Sequence, residues 1–283
     1  IVHRRNSFKK KADQSFEAKV TEQLPVQKKK QKETQTSWGN VSSWYEEVVE
    51  NVDSYQAQVI ARNLLRIVGD LRSKKILDLA CGEGYFTRLF TEGGGDCIGV
   101  DISKELVTIA EKKDKKSKYI VSPSHELSQI PNVSVDIAVC VLALQNIEKI
   151  KETIAAVKNT LKKSGAFIFV LNHPSFRNPK QADWHFDNTR KAQGRVTYEY
   201  MTQSKIKIDM TPGQLNTRKK EFTVSFHRPL QFFIKELTKS GFVVTGMEEW
   251  ISHKESEKGP RRDAENKARH EIPMFMCITA RKE

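Results

Sequence analysis

Two carboxylates and two glycines stand where the tips of strands are expected. In ILDLACGEGYFTRLF, residues 76–90, an apolar run reaches Asp78, turns through Gly82 and Gly84, and continues as an amphipathic segment. A second carboxylate, Asp101, closes the next apolar run, CIGVD. Glycines at a strand–helix turn let the backbone approach a ligand, and the helix N-terminus beyond offers N–H groups. An acid at the tip of the following strand can accept both hydroxyls of a ribose. This much suits a dinucleotide and S-adenosylmethionine (SAM) equally. Two details separate them. The dinucleotide fingerprint G-x-G-x-x-G needs a third glycine for close helix packing, and here Tyr85, Phe86 and Thr87 follow Gly84. Asp78 is an additional carboxylate, suited to a ligand with positive charge nearby, and SAM carries an amino group and a sulfonium.

Those residues need a scaffold. KKILDLA reads as a buried strand, 84–92 as a helix, CIGVD as a strand and SKELVTIAEKK as a helix capped by Ser103. SKYIVS and VDIAVCVLAL read as strands, IEKIKETIAAVKNTLKK as a helix and GAFIFVLN as a strand. Strand–helix alternation at this pitch implies right-handed crossovers and a parallel sheet with helices on both faces. Order is expected from about Trp38, with two N-terminal helices, the second starting near Asp53 or Ser54. After Asn172 the alternation breaks. Residues 173–226 contain VTYEYM, KIKIDM and FTVSF, expected as short antiparallel strands of a β-rich cap insert. A helix in PLQFFIKELTKSGF follows, with Pro229 near its start and Gly241 at its end. VVTGMEEWI and MFMCITARK are the closing strands, and the segment 253–271 between them is highly charged.

ILDLACGEGYFTRLF, IGVDIS, VDIAVCVLALQNI and LKKSGAFIFVLNHP, in this order, resemble the successive motifs of class I SAM-dependent methyltransferases. The resemblance covers about residues 38–283. WGNVSSWYEEVVE, NHPSFR, KIDMTPG, FHRPL and EEWISHK are further similar to bacterial and archaeal members of that class, a similarity that names no substrate. It implies a Rossmann-like, seven-stranded, mostly parallel α/β sheet with the last strand antiparallel. It also implies Asp78 at the SAM amino group, and backbone of Ala80, Gly82 and Gly84 along the methionine and ribose. Asp101 would hold the ribose hydroxyls, with Ile102 against the adenine, and Val141 and Leu142 would meet the methionine end. Ala80 stands where the family often has glycine. SPSHEL lacks the acid often found after the third strand, so Ser124 or His125 is expected at the adenine amino group.

Acceptor sites come from loops and caps, and candidates cluster after the fourth and fifth strands. Gln145 and Asn146 follow VLAL and should face the cleft. His173 follows FVLN, where an imidazole could take or orient a proton, the alternative being a turn cap before Pro174. Trp184 and His185 lie in the irregular KQADWHFDN and either close over a ligand or pack. Tyr45 and Tyr55, on the N-terminal helices, either cover the methionine end of SAM or pack in the core. His227 and Arg228 read as capping or salt-bridging residues.

The 283-residue chain carries a net charge of +13. Nearly half of that excess lies in residues 1–37, which contain KKK and KKK again, few apolar residues and no periodicity. This reads as a disordered arm, either a solvated leader or a segment drawn to anionic surfaces. No apolar run approaches the ~18 residues of a membrane span, and the charged opening is unlike a secretory signal. Cys81, Cys97, Cys140 and Cys277 are far apart and lack metal spacing, as expected of reduced thiols in a cytoplasmic protein. The expectation is a SAM-dependent methyltransferase domain over 38–283 acting on a small organic acceptor. The alternative is RNA or protein, bound through the arm and segment 253–271. Against RNA stands the lack of a recognisable RNA-binding module and of an NPPY-type tetrapeptide.

Overall fold

The computed structural model describes residues 51–210 and 222–283. The basic arm, Trp38 and Tyr45 lie outside the described residues. The central strands are β1 (Lys75–Leu79), β2 (Asp96–Asp101), β3 (Lys118–Val121), β4 (Val135–Val141) and β5 (Leu161–Asn172). Two hairpins follow, β6 (Ala182–Asp187) with β7 (Ala192–Thr197), and β8 (Ser204–Asp209) with β9 (Phe222–His227). β10 (Phe242–Trp250) and β11 (Phe275–Lys282) complete one seven-stranded sheet, ordered β10–β11–β5–β4–β1–β2–β3. Its pairings are parallel except those of β11, which runs antiparallel between β5 and β10. This is the mostly parallel sheet with an antiparallel last strand that the sequence implied.

The helices are α1 (Arg62–Val68, preceded by a π-helical turn at Gln56–Ala61), α2 (Tyr85–Glu92) and α3 (Lys104–Lys113), then α4 (Ile150–Thr160), α5 (Leu230–Lys239) and α6 (Arg262–Glu271). Successive strand residues point to opposite faces, and the core divides accordingly. Leu77, Leu79, Phe167 and Phe169 face a layer containing Ile154 of α4 and Leu237 of α5. Ile76, Ile168 and Val170 face Ile60, Leu64 of α1 and Phe90 of α2. Ser54 starts the first helical segment of the described residues, where the sequence reading put the start of the second helix, its Oγ accepting from the Ala57 N–H at 3.1 Å.

Three boundaries differ from the sequence reading. α4 ends at Thr160 rather than continuing through Lys163. Leu161 already pairs with Val135, the β4–β5 register then slips, and Lys162 Nζ lies 2.8 Å from Asp136 Oδ1. The segment expected to be irregular around Trp184 is strand β6, and VTYEYM is mostly turn, with only Val196 and Thr197 in β7. The polar residues between these strands make the hairpin, because Asp187 Oδ1 accepts the N–H groups of Thr189 (2.8 Å) and Arg190 (3.0 Å). Within the charged 253–271 segment lies α6, whose preceding Arg261 guanidinium stacks 4.4 Å from the Phe186 ring.

The second hairpin is fastened to the end of β4, where Leu144–Asn146 form a 3₁₀ turn. Asn146 Nδ2 donates to the Val224 carbonyl at 2.8 Å. The buried Arg228 guanidinium donates to the carbonyls of Leu144, Ile147 and Glu148, and lies over the rings of Phe226 and Phe232. Removing it leaves the Ile147 carbonyl without a donor, at about 1–3 kcal/mol, and takes one of two donors from Leu144 and Glu148, which keep the N–H groups of Ile147 and Ile150. Arg228→Met should therefore lower stability by about 3 kcal/mol, read as a lower urea midpoint at unchanged slope.

Candidate active site

β1 and β2 end side by side, with Asp78 paired to Gly99 and Leu79 to Val100. The loop after β1 is tied back to β2, because Cys81 N–H donates to the Val100 carbonyl at 3.0 Å. Asp101 then organises both loops. Its Oδ2 accepts the Gly82 N–H at 2.9 Å, and its Oδ1 accepts the Ser103 N–H at 2.8 Å. Ser103 Oγ in turn caps α3, accepting from Leu106 N–H at 3.3 Å. Burial pushes the Asp101 carboxyl above its ordinary value, and these backbone donors oppose that shift.

Asp78 is 2 % exposed. Thr87 Oγ1 donates to it at 2.6 Å. Burial raises its pKa to about 7, against the Thr87 bond and with the negative charges of Asp101 and Glu83 adding to the rise. Glu83 is equally buried but paired with Arg88 at 2.9 Å and Lys113 at 3.1 Å. Among the described residues no lysine or arginine pairs with Asp78.

The two glycines of the loop have left-handed backbones, φ +58° at Gly82 and +82° at Gly84. At Gly84 an added Cβ would stand 2.7 Å from Tyr119 Oη. That glycine is needed for packing the start of α2 against β3, a different reason from close approach to a ligand. Ala80 and Leu142 also hold positive φ, +58° and +51°. A side chain there costs on the order of 1 kcal/mol, and both residues flank the same cleft. This cleft encloses about 370 Å³, with Asp78, Ala80, Tyr85, Val141 and Leu142 among its walls. Cys81, Glu83 and Phe86 also line it; the sequence reading passed over all three, and Tyr85, as residues between motif positions.

A second cavity of about 350 Å³ opens beyond β4 and β5, walled by Gln145, Asn172, Pro174, Arg177, His227 and Phe233 among others. Gln145 joins the two cavities. Its Nε2 donates to the Leu142 carbonyl at 2.7 Å, and Leu142 walls the first cleft. Because only the amide nitrogen can donate to a carbonyl, the side-chain orientation is fixed, and the buried Oε1 has no partner.

The other expected residues are distributed unevenly. Asn146 is committed to the β9 carbonyl already described. His173 is 3 % exposed and lines neither cavity. Its Nδ1 accepts the Ser175 N–H at 3.2 Å and its Nε2 lies 2.6 Å from Glu249 Oε1, so both ring nitrogens are engaged. Burial holds its pKa below the ordinary value, with Glu249 opposing. Its carbonyl accepts the Arg177 N–H at 2.8 Å, which closes the turn after β5. The geometry is that of the turn cap, and it corrects the placement of this imidazole in the cleft. Trp184 and His185 are exposed on β6, away from both cavities, and Arg195 lies 5.0 Å over the Trp184 ring. Their exposure does not fit the core-packing alternative. Ser124 Oγ lies 3.0 Å from Thr153 Oγ1 of α4, and His125 Nε2 lies 3.2 Å from Lys149 Nζ. Ile102, beyond Asp101, is 62 % exposed. Tyr55 bonds Ser252 through its hydroxyl at 3.1 Å and meets His253 and Phe275 edge-on.

Arg177 and His227 were not read as cavity residues. Arg177 sits in NHPSFRNP, where nothing local says that the turn folds back over β5. His227 Nε2 lies 2.8 Å from the Tyr200 carbonyl, which places the ring proton there and leaves Nδ1 as an acceptor in the neutral ring.

The first cleft suits SAM. Asp78 is a buried carboxyl in its wall with no cation beside it. Asp101 and Ile102 lie outside that lining, Asp101 held by backbone donors of Gly82, Ile102 and Ser103 and Ile102 open to solvent. Among the described residues no three His, Cys, Asp or Glu side chains gather as a metal site, and no helix is long and apolar enough to cross a membrane.

Comparison with known proteins agrees with this geometry. The profile of a family described as a methyltransferase domain matches residues 77–169. A solved SAM-dependent methyltransferase from Mesorhizobium loti superposes with a TM-score of 0.62 at 25 % identity, covering 80 % of this chain and 99 % of that one. An uncharacterised protein of Haemophilus influenzae is 27 % identical over 222 residues, 74 % of this chain and 83 % of its own length. A ubiquinone biosynthesis O-methyltransferase of Photobacterium profundum is 30 % identical over 105 residues, 36 % of this chain and 45 % of its own. The chain thus spans less than half of that relative.

The raised pKa of Asp78 has two measurable consequences. Unfolded, the group titrates near its ordinary value of about 3.9, so between about pH 4 and 7 the folded protein holds the extra proton. Stability of the free protein should fall as pH rises through that window, and Asp78→Asn should flatten the slope. A bound ammonium favours the carboxylate, so S-adenosylhomocysteine should release a proton on binding at pH 6. Calorimetry in two buffers of different ionisation enthalpy reads this, and in Asp78→Asn the buffer dependence should vanish.

Proposed function

Because the chain belongs to the class I SAM-dependent methyltransferases, we propose that it methylates a small organic molecule seated in the second cavity. The observation that carries this reading is the Leu142–Gln145 connection, which joins a half-open pocket of mixed polar and apolar lining to the cofactor cleft. Bound SAM supplies an electrophilic methyl carbon on sulfur, open to in-line displacement. The chain supplies placement and exclusion of water. Asp78 holds the ammonium of the methionine part, Asp101 the ribose hydroxyls, and the Val141–Leu142 backbone the methionine end. Gln145 offers its free Oε1 to a donor on the acceptor and so orients the reacting atom. As the bond to the methyl carbon forms the carbon–sulfur bond breaks, S-adenosylhomocysteine leaves, and the acceptor's proton passes to solvent at the open side of the pocket. The β8–β9 hairpin, fastened through Asn146 and Arg228, roofs the cavity. His173 acts by holding the turn that forms one wall, and its engaged nitrogens argue against a role as proton acceptor.

Small-molecule O-methylation in the named activity of the Photobacterium relative supports this acceptor class. The RNA alternative finds less support. Segment 253–271 mixes charges of both signs and spends several of them internally: Arg262 pairs with Glu255, Arg269 bonds Ser256 Oγ, and Arg261 stacks on Phe186.

The test uses SAM labelled in its methyl group, offered with cell extract separated into small-molecule, RNA and protein fractions. Label should enter the small-molecule fraction. Label confined to RNA or protein would overturn the reading. Asp101→Asn should weaken S-adenosylhomocysteine about 10-fold or more by calorimetry, since charge-assisted hydrogen bonds are lost, with the same far-ultraviolet dichroism as the parent.

A further inference from the structure

We infer that the methyl acceptor is an organic acid, with its carboxylate held by Arg177 and an O–H or N–H group set against Gln145 Oε1. The inference rests on the small-molecule reading above and narrows its substrate class. Arg177 walls the second cavity. Its backbone is pinned by the His173 carbonyl at 2.8 Å, in a turn braced by His173 and bounded by Pro174 and Pro179. The guanidinium is therefore presented from a rigid turn, and among the described residues no carboxylate pairs with it.

Its neighbourhood makes this a cationic site. Burial holds the Arg177 guanidinium below its ordinary pKa, with Tyr55 opposing and the charge of Arg269 adding to the fall, and Arg195 feels the charge of Arg177 in turn. Both have donors committed elsewhere, Arg195 to Phe176 and Ala182 carbonyls and Arg269 to Ser256. Arg228 also reaches the cavity, but its donors are spent on the carbonyls of the β4 turn. Arg177 is left as the cation with an open fork. A planar guanidinium matches a planar carboxylate with two parallel hydrogen bonds. At the other end, the orphaned Gln145 oxygen calls for a donor, and a buried acceptor left unpaired is costly. The two residues line one pocket that opens to solvent, so a bound molecule would enter from the open side. A molecule satisfying both ends has an acid at one and a hydroxyl or amine at the other, the latter on the side where Gln145 meets Leu142 and the cofactor cleft.

The test divides a small-molecule cell extract on an anion exchanger into retained and flow-through fractions, each offered to the full chain with methyl-labelled SAM. Label should enter the retained fraction, also after phosphatase treatment. Arg177→Gln should lower kcat/KM for that fraction by about 30-fold or more, mainly through KM. Its S-adenosylhomocysteine affinity and melting temperature should stay near those of the parent. Arg177→Lys should recover part of the loss, which a merely structural arginine would not show through KM. Acceptor activity in the flow-through, activity abolished by phosphatase, or an unchanged KM in Arg177→Gln overturns the inference. If neither fraction is labelled while S-adenosylhomocysteine still binds, the small-molecule reading itself falls, and this inference with it.

Discussion

The site depends on keeping carboxylates out of water at the ends of two adjacent parallel strands. Burying a charge is costly unless it is paired or hydrogen-bonded, and the two acids meet that cost differently. Asp101 collects backbone N–H groups from the loops after β1 and β2, so it locks the Gly82 turn and the start of α3 together. Asp78 is met only by Thr87 of α2, and its pKa of about 7 leaves it partly protonated near neutrality. One carboxylate is thus spent on building the cleft, and the other is held in reserve for a cation. The sheet register makes this division, since it sets the two strand tips level and brings the loop between them over Asp101.

The acceptor half is built on another principle. Its parts come from distant stretches of the chain: the 3₁₀ turn after β4, the turn after β5, and the β9–α5 junction. Arg228 joins the first and third by giving its donors to the turn carbonyls of Leu144, Ile147 and Glu148. His173 joins the second to β10 through Glu249. Both are titratable side chains used as structural ties. Burial alone did not make either of them chemical groups of the cavity.

That difference explains what could be read from the chain. The cofactor half is local: the Asp78 acid, the glycines, the Asp101 acid and the Val141–Leu142 tip each lie at the end of a periodic element, and periodicity finds element ends. The strand–helix alternation of the sheet was legible for the same reason, while its antiparallel last strand came only from the resemblance to class I methyltransferases. The second cap hairpin was legible from KIKIDM and FTVSF, whereas β6 was not, because Asp183, Trp184 and His185 are exposed in succession and give no period-two apolar signal, and its turn is set by one Asp187 carboxylate. Arg177 and His227 were missed since cavity membership there is a matter of tertiary contact. His173 was located correctly in the chain, but a position at a strand tip does not fix the direction of its ring, and here the ring turns toward β10.

The place of β11 carries a consequence for how the chain reaches this structure. β11 lies between β5 and β10 although it follows both in sequence. As the polypeptide emerges during synthesis, β5 shows an open hydrogen-bonding edge, and β10 has no sheet to join until the last strand arrives. Such long-range pairing is slow to form and leaves apolar strand edges exposed meanwhile. Assembly of this sheet is therefore back-loaded: one late insertion closes the β5 edge, recruits β10 with α5, and through Glu249 steadies the turn at His173.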